Sequence, residues 1–153
     1  MTEFLKAITG RVLILGGAMG TLLQERGLSP GGCPEEMNRN APDTVIGIHA
    51  EYAEAGADIL IANSFGGNRV KLAKYNLDNT VLEFPSIGNY NLGNAVDELN
   101  RRAVALARKA APAGVFVGGS VGPTGRFVEP VGDAGFDEMI DTFAEQITTP
   151  AGS

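Results

Sequence analysis

The chain has 153 residues, 44% of them apolar, with 12 Lys and Arg against 18 Asp and Glu and a net charge of −6. That length supports one domain with a real core, while the acidic balance argues against nucleic acid or an anionic membrane surface as partner, since both demand a basic face. No apolar run approaches the roughly 18–20 residues of a membrane span, and the lone Cys33 can build neither an internal disulfide nor a zinc site by itself.

Residues 1–10 carry Glu3 and Lys6 without the apolar stretch of a signal peptide, so a reducing cytoplasm is the expected location. Residues 11–15 (RVLIL) are predicted to form a strand buried on both faces, as in a parallel sheet. A short helix is expected over 19–26, closed by Gly27, and then a Pro- and Gly-rich loop over 29–34. Asn40-Ala41-Pro42-Asp43 is a helix start, with proline in the first turn and an acid at the positive end of the dipole. Val45, Ile48, Tyr52 and Ala55 follow at helical spacing, and Gly56 is a natural stop. Residues 58–62 (DILIA) read as a second buried strand. Gly66-Gly67 opens a helical stretch in which Val70, Ala73 and Leu77 share a face.

Leu82 to Gly93 breaks the rhythm with Pro85, Gly88, Gly93 and two asparagines, and reads as a turn-rich connection. Helical periodicity returns with Val96, Leu99, Ala103, Leu106 and Ala110, and Pro112 ends it. Residues 115–117 lead into Gly118-Gly119-Ser120 as a third strand. A last amphipathic helix is marked by Phe136, Met139, Ile140, Phe143 and Ile147. This alternation predicts an α/β fold of parallel strands with right-handed crossovers. Ligands in such sheets bind at the carboxyl ends of the strands.

Each strand end carries a motif: Gly16-Gly17-Ala18-Met19-Gly20-Thr21, then Asn63-Ser64-Phe65-Gly66-Gly67-Asn68-Arg69, then Gly122-Pro123-Thr124-Gly125. The first lacks the G-x-G-x-x-G spacing of a dinucleotide site. Between the first two lie Ile48-His49-Ala50-Glu51-Tyr52 and Ala55-Gly56-Ala57-Asp58-Ile59. Together they resemble the homocysteine-binding domain of the homocysteine S-methyltransferases, most of all its bacterial cobalamin-dependent members, over about residues 10–147.

The resemblance implies the first three βα units of a (βα)8 TIM-type barrel, incomplete as it stands, over residues 1–147 with a terminal tail at 148–153. It implies methyl transfer to a zinc-bound homocysteine thiolate, giving methionine, from a cobalamin- or folate-linked donor. Homocysteine is then the small-molecule partner, and Gly17, Ala18, Met19, Asn63, Ser64, Phe65 and Ser120 are the substrate-binding candidates.

Two departures from the family pattern stand out. The family places an acid where this chain has Gly16, which removes a partner for the substrate ammonium. Its zinc cysteines come from later strands, so the chain is expected to lack a metal site and to be inactive alone. Residues 82–96 have no counterpart in the resemblance and read as an insertion. A non-catalytic α/β module that self-associates through open sheet edges, or an engineered partial barrel, is the alternative. The single histidine, His49, sits on a helix beside Ile48 and is expected to be structural rather than an acid–base group.

Overall fold

The computed structural model describes residues 2–75, 77, 82–84, 88–90 and 95–148. Helix α1 (Glu3–Gly10) opens the chain, with the Thr2 hydroxyl accepting from the Leu5 amide as its N-cap. The sequence reading missed this helix, whose Phe4 ring meets Phe116 edge-on at 5.3 Å. Helix α2 (Gly20–Glu25) and the single turn α3 (Met37–Asn40) precede α4 (Pro42–Glu54). Proline in the first turn and Asp43 start α4 as expected, Val45 and Ile48 are buried, and Gly56 turns out of it at φ +95°.

Strand β1 (Ile59–Ile61) is the centre of the sheet. It pairs in parallel with β4 (Phe116–Gly118), in the register Ile59 with Phe116 through Ile61 with Gly118. On its other side Leu15 bridges Ile59, also in parallel. The expectation for residues 11–15 is corrected here. Only that one bridge forms, and Val12, Ile14 and Leu15 are 87%, 60% and 57% exposed. One edge of the segment meets β1, through the Asp58 amide on the Ile14 carbonyl and the Gly16 amide on the Ile59 carbonyl, both 2.8 Å. These apolar side chains therefore stand at a margin of the sheet rather than within it.

After β1 the expected helix is shorter than its periodicity suggested. Helix α5 (Arg69–Leu72) tightens into a 3-10 turn (Ala73–Tyr75), and its buried residue is Leu72 rather than Ala73. The Asn68 carboxamide caps it by accepting from the Lys71 amide. Residues 82–96 contain an antiparallel hairpin, β2 (Leu82–Phe84) with β3 (Gly88–Tyr90), and the first turn of the next helix. The rest of that stretch, and residues 149–153 of the tail, lie outside the described residues.

Helix α6 (Ala95–Ala110) packs its Ala103, Val104 and Ala107 on Ala62 of the strand end, a seam of small side chains that lets helix and sheet approach closely. Leu23, Leu28, Val45 and Ile48 form a second cluster between α2 and α4. Helix α7 (Phe136–Thr148) corrects the last amphipathic assignment: Met139, Thr142 and Gln146 are its buried residues, while Phe136, Ile140 and Ile147 are at least half exposed. Gln146 sets that rotation by donating from Nε2 to the Ser64 carbonyl at 2.7 Å. No helix among the described residues is long and apolar enough to cross a membrane.

Candidate functional site

The carboxyl end of β1 opens into a cavity of about 340 Å³, within the range of small-molecule sites. Six of the seven substrate-binding candidates meet in its wall: Gly17, Ala18, Met19, Asn63, Phe65 and Ser120. Ser64 lines the neighbouring cavity of about 370 Å³ instead, where Ser120 also stands.

The loop after Leu15 is shaped by Tyr52 of α4, whose hydroxyl donates to the Ala18 carbonyl at 2.9 Å. The ring lies so close to Gly17 that a Cβ there would sit 2.7 Å from the Tyr52 oxygen, so packing against the ring demands glycine. At Gly16 a Cβ would make only ordinary contacts of 3.5–3.6 Å. Among the described residues nothing accepts from the backbone N–H of Gly17, Ala18 or Met19. Three neutral donors thus stand unclaimed in residues that line the cavity.

Asn63 is 4% exposed and both its amide hydrogens point inward, to the Pro34 carbonyl (2.7 Å) and to Asn38 Oδ1 (3.0 Å). Asn38 returns the bond by donating to the Asn63 carbonyl at 2.9 Å. Asn63 therefore ties the 33–38 loop to the strand end as well as lining the cavity. Ser64 works in the same way: its hydroxyl donates to the Ser120 carbonyl (2.9 Å) and accepts from the Ser120 amide (3.0 Å), latching the ends of β1 and β4 together. Phe65 is 57% exposed at the rim. Thr124 is buried and accepts from the Arg126 amide at 3.2 Å, an ordinary turn bond.

A carboxylate that the sequence reading passed over, Glu35, also lines the cavity and is only 5% exposed. Its Oε1 accepts from the Gly66 amide at 2.6 Å, and its Oε2 from the Cys33 thiol at 3.4 Å. A Cβ at Gly66 would stand 3.0 Å from Glu35 Oε1, so any larger residue there would have to push the carboxylate aside. The only local signal was an acid following Pro34 in a Pro- and Gly-rich loop; the folding of that loop across the strand end is what makes it part of the site.

Burial, then the charge of Glu35, pushes the Cys33 thiol up to about 12, so it is protonated at neutral pH and is neither a thiolate ligand nor a nucleophile. Among the described residues no group of three His, Cys, Asp or Glu converges to hold a metal ion. His49 is 1% exposed, away from the cavity wall, and burial lowers its pKa to about 4. Its Nε2 has no hydrogen-bond partner, which fits a neutral packed imidazole and not a working acid or base.

The sequence pattern of the homocysteine S-methyltransferase family matches residues 13–152. The chain is 32% identical to the methionine synthases of Mycobacterium leprae and Mycobacterium tuberculosis over 94% of its own length, and spans 12% of theirs. Its fold is similar to the Escherichia coli homocysteine methyltransferase MmuM. The TM-score is 0.74 to the oxidized form and 0.71 to the metallated form, at 22% and 21% identity, covering 99% and 96% of this chain and about half of that one (53% and 52%). With strand-end motifs, parallel sheet and sequence match in agreement, the chain belongs to the homocysteine S-methyltransferase family.

Proposed function

We propose that this chain is the opening portion of a (βα)8 barrel in a cytoplasmic methionine-forming enzyme, and that its strand-end cavity takes the amino-acid end of homocysteine. The observation that carries the reading is the meeting of Gly17, Ala18, Met19, Asn63, Phe65 and Ser120 in one cavity, with the three unclaimed amides of residues 17–19 in its wall. Unclaimed backbone donors in a partly dry cleft suit a carboxylate, which accepts several N–H bonds at once.

In a complete family member, bound zinc would hold the homocysteine sulfur as a thiolate, and a cobalamin- or folate-linked donor would supply the methyl group. The described residues of this chain do not fit that metal: Cys33 is a protonated thiol tied to Glu35, and no other cluster of ligands stands near the cavity. Their part is binding and orientation, and the thiolate chemistry falls to residues outside the described set. Titration calorimetry of this chain with L-homocysteine is expected to show saturable binding, and an assay with homocysteine, zinc and a methyl donor to show no methionine. Absence of binding at millimolar ligand would sink the substrate assignment, and turnover would sink the division of labour.

The exposed margin at Val12, Ile14 and Leu15 favours a second proposal, pairing of that edge with another chain. Light scattering that reads a monomer across the micromolar range would remove it.

A further inference from the structure

Glu35 carries an unmet electrostatic demand. A carboxylate this buried is rarely left without a cation, because desolvating the charge costs more than neutral hydrogen bonds return. Yet both of its donors are neutral, a backbone amide and a thiol. Among the described residues no Lys or Arg forms an ion pair with it, and Glu36 beside it is the one engaged with Arg39, at 3.1 Å. Lys71 and Tyr75 share a smaller cleft of about 180 Å³ with Glu35, again without an ion pair. Each carboxylate oxygen has a second lone pair, so two acceptor sites remain after the Gly66 and Cys33 bonds are counted.

The cavity that Glu35 lines is also lined by Gly17, Ala18 and Met19, whose amides find no acceptor among the described residues. The cavity thus combines a carboxylate without a cation and backbone donors without an anion. A zwitterionic α-amino acid satisfies both at once. We infer that Glu35 binds the α-ammonium of the substrate, and so supplies the acid that Gly16 does not. This rests on the reading of the cavity as the homocysteine site and adds to it the residue that selects an amino acid over a simple thiol acid. The loop that carries Glu35 is held for the purpose: Asn63 grips the Pro34 carbonyl beside it, and Gly66 lets the carboxylate reach a backbone amide.

The test compares two ligands on the full chain by calorimetry: L-homocysteine, and 4-mercaptobutanoate, which keeps the thiol and carboxylate but has no ammonium. The unaltered chain is expected to bind the second at least about tenfold more weakly, the effect of losing a charge-assisted bond. Glu35→Gln is expected to weaken homocysteine by a similar factor and to leave 4-mercaptobutanoate unchanged, while Glu35→Asp restores part of the discrimination. A purely structural role would weaken both ligands together. Equal affinity of the unaltered chain for the two ligands, or parallel losses in Glu35→Gln, would overturn the assignment of Glu35 and leave the homocysteine site standing. Failure of the unaltered chain to bind either ligand would overturn both. The ligand comparison on the unaltered chain decides the matter even where a variant does not fold.

Discussion

Strand β1, with the polar turn that follows it, and the opening segment of the same sheet each carry an apolar run and end in opposite states. At the end of β1, Ala62, Asn63 and Ser64 are nearly inaccessible, enclosed by α6, by the 33–38 loop and by the latch to Ser120. At 12–15, Val12, Ile14 and Leu15 lie mostly open although they belong to a run just as apolar. The difference lies in neighbours. A strand's burial is set by what flanks and covers it, and an apolar run reports only the capacity to be buried.

The contrast between covered and open apolar residues is tested most directly by truncating one isoleucine in a packed helix cluster and one at the margin. Ile48 is fully buried in the α2–α4 cluster, and Ile48→Ala is expected to cost about 2–5 kcal/mol. Ile14→Ala, 60% exposed at the margin, is expected to stay within about 0.5 kcal/mol. Urea denaturation of the two variants checks both; equal losses would mean that the margin is covered in solution.

The next effect down sharpens the comparison through pH. His49 sits on the well-packed side, and its pKa falls from 6.5 to about 4 on folding. The unfolded chain therefore takes up a proton that the folded chain refuses. Its contribution to stability is complete above pH 6.5 and is lost as pH falls toward 4, amounting to up to about 3 kcal/mol. Denaturation midpoints at pH 7 and 4.5, with His49→Gln as the control in which this part of the pH dependence is absent, measure it. An unchanged pH profile in that variant would assign the acid sensitivity elsewhere.

The smallest effect separates two adjacent glycines in the site loop. Gly17→Ala is expected to lose about 1–3 kcal/mol through collision with the Tyr52 hydroxyl, as overpacking does. Gly16→Ala meets only ordinary contacts and is expected to be close to neutral. Thermal melts of the pair suffice, and equal shifts would show that the ring moves aside.

Much of this architecture was legible because it obeys local rules. Helices α4 and α6 have their 3.6-residue apolar period and their stops in the expected places, and α4 also its first-turn proline and acid; those signals need no knowledge of the partner surface. The strand-end motifs likewise located six cavity residues by their position after strands. Local rules fail where a polar group is buried for a distant partner. Glu35, Asn38, Asn100 and Gln146 look like surface residues in sequence, yet each is 5% exposed or less. Asn100 closes on the Gly67 carbonyl and Gln146 on the Ser64 carbonyl, 33 and 82 positions away. The face of α7 was misread for the same reason: Gln146 and Thr142 turned inward, and Ile140 and Ile147 outward. Helix α1 lacks a clear sequence signal: it is short, none of its residues is buried, and its cap is a single threonine, Thr2.

The close fit of Tyr52 over Gly17 has a consequence for how this chain can vary. The ring and the missing side chain occupy one volume, and the hydroxyl also fastens the Ala18 carbonyl. Neither position can drift alone: a larger residue at 17 needs a smaller one at 52, and a smaller residue at 52 releases the loop that carries the unclaimed amides. The two positions, one on a helix and one in the loop after Leu15, are therefore expected to vary together, so that a homologue with alanine at 17 is expected to have given up the tyrosine.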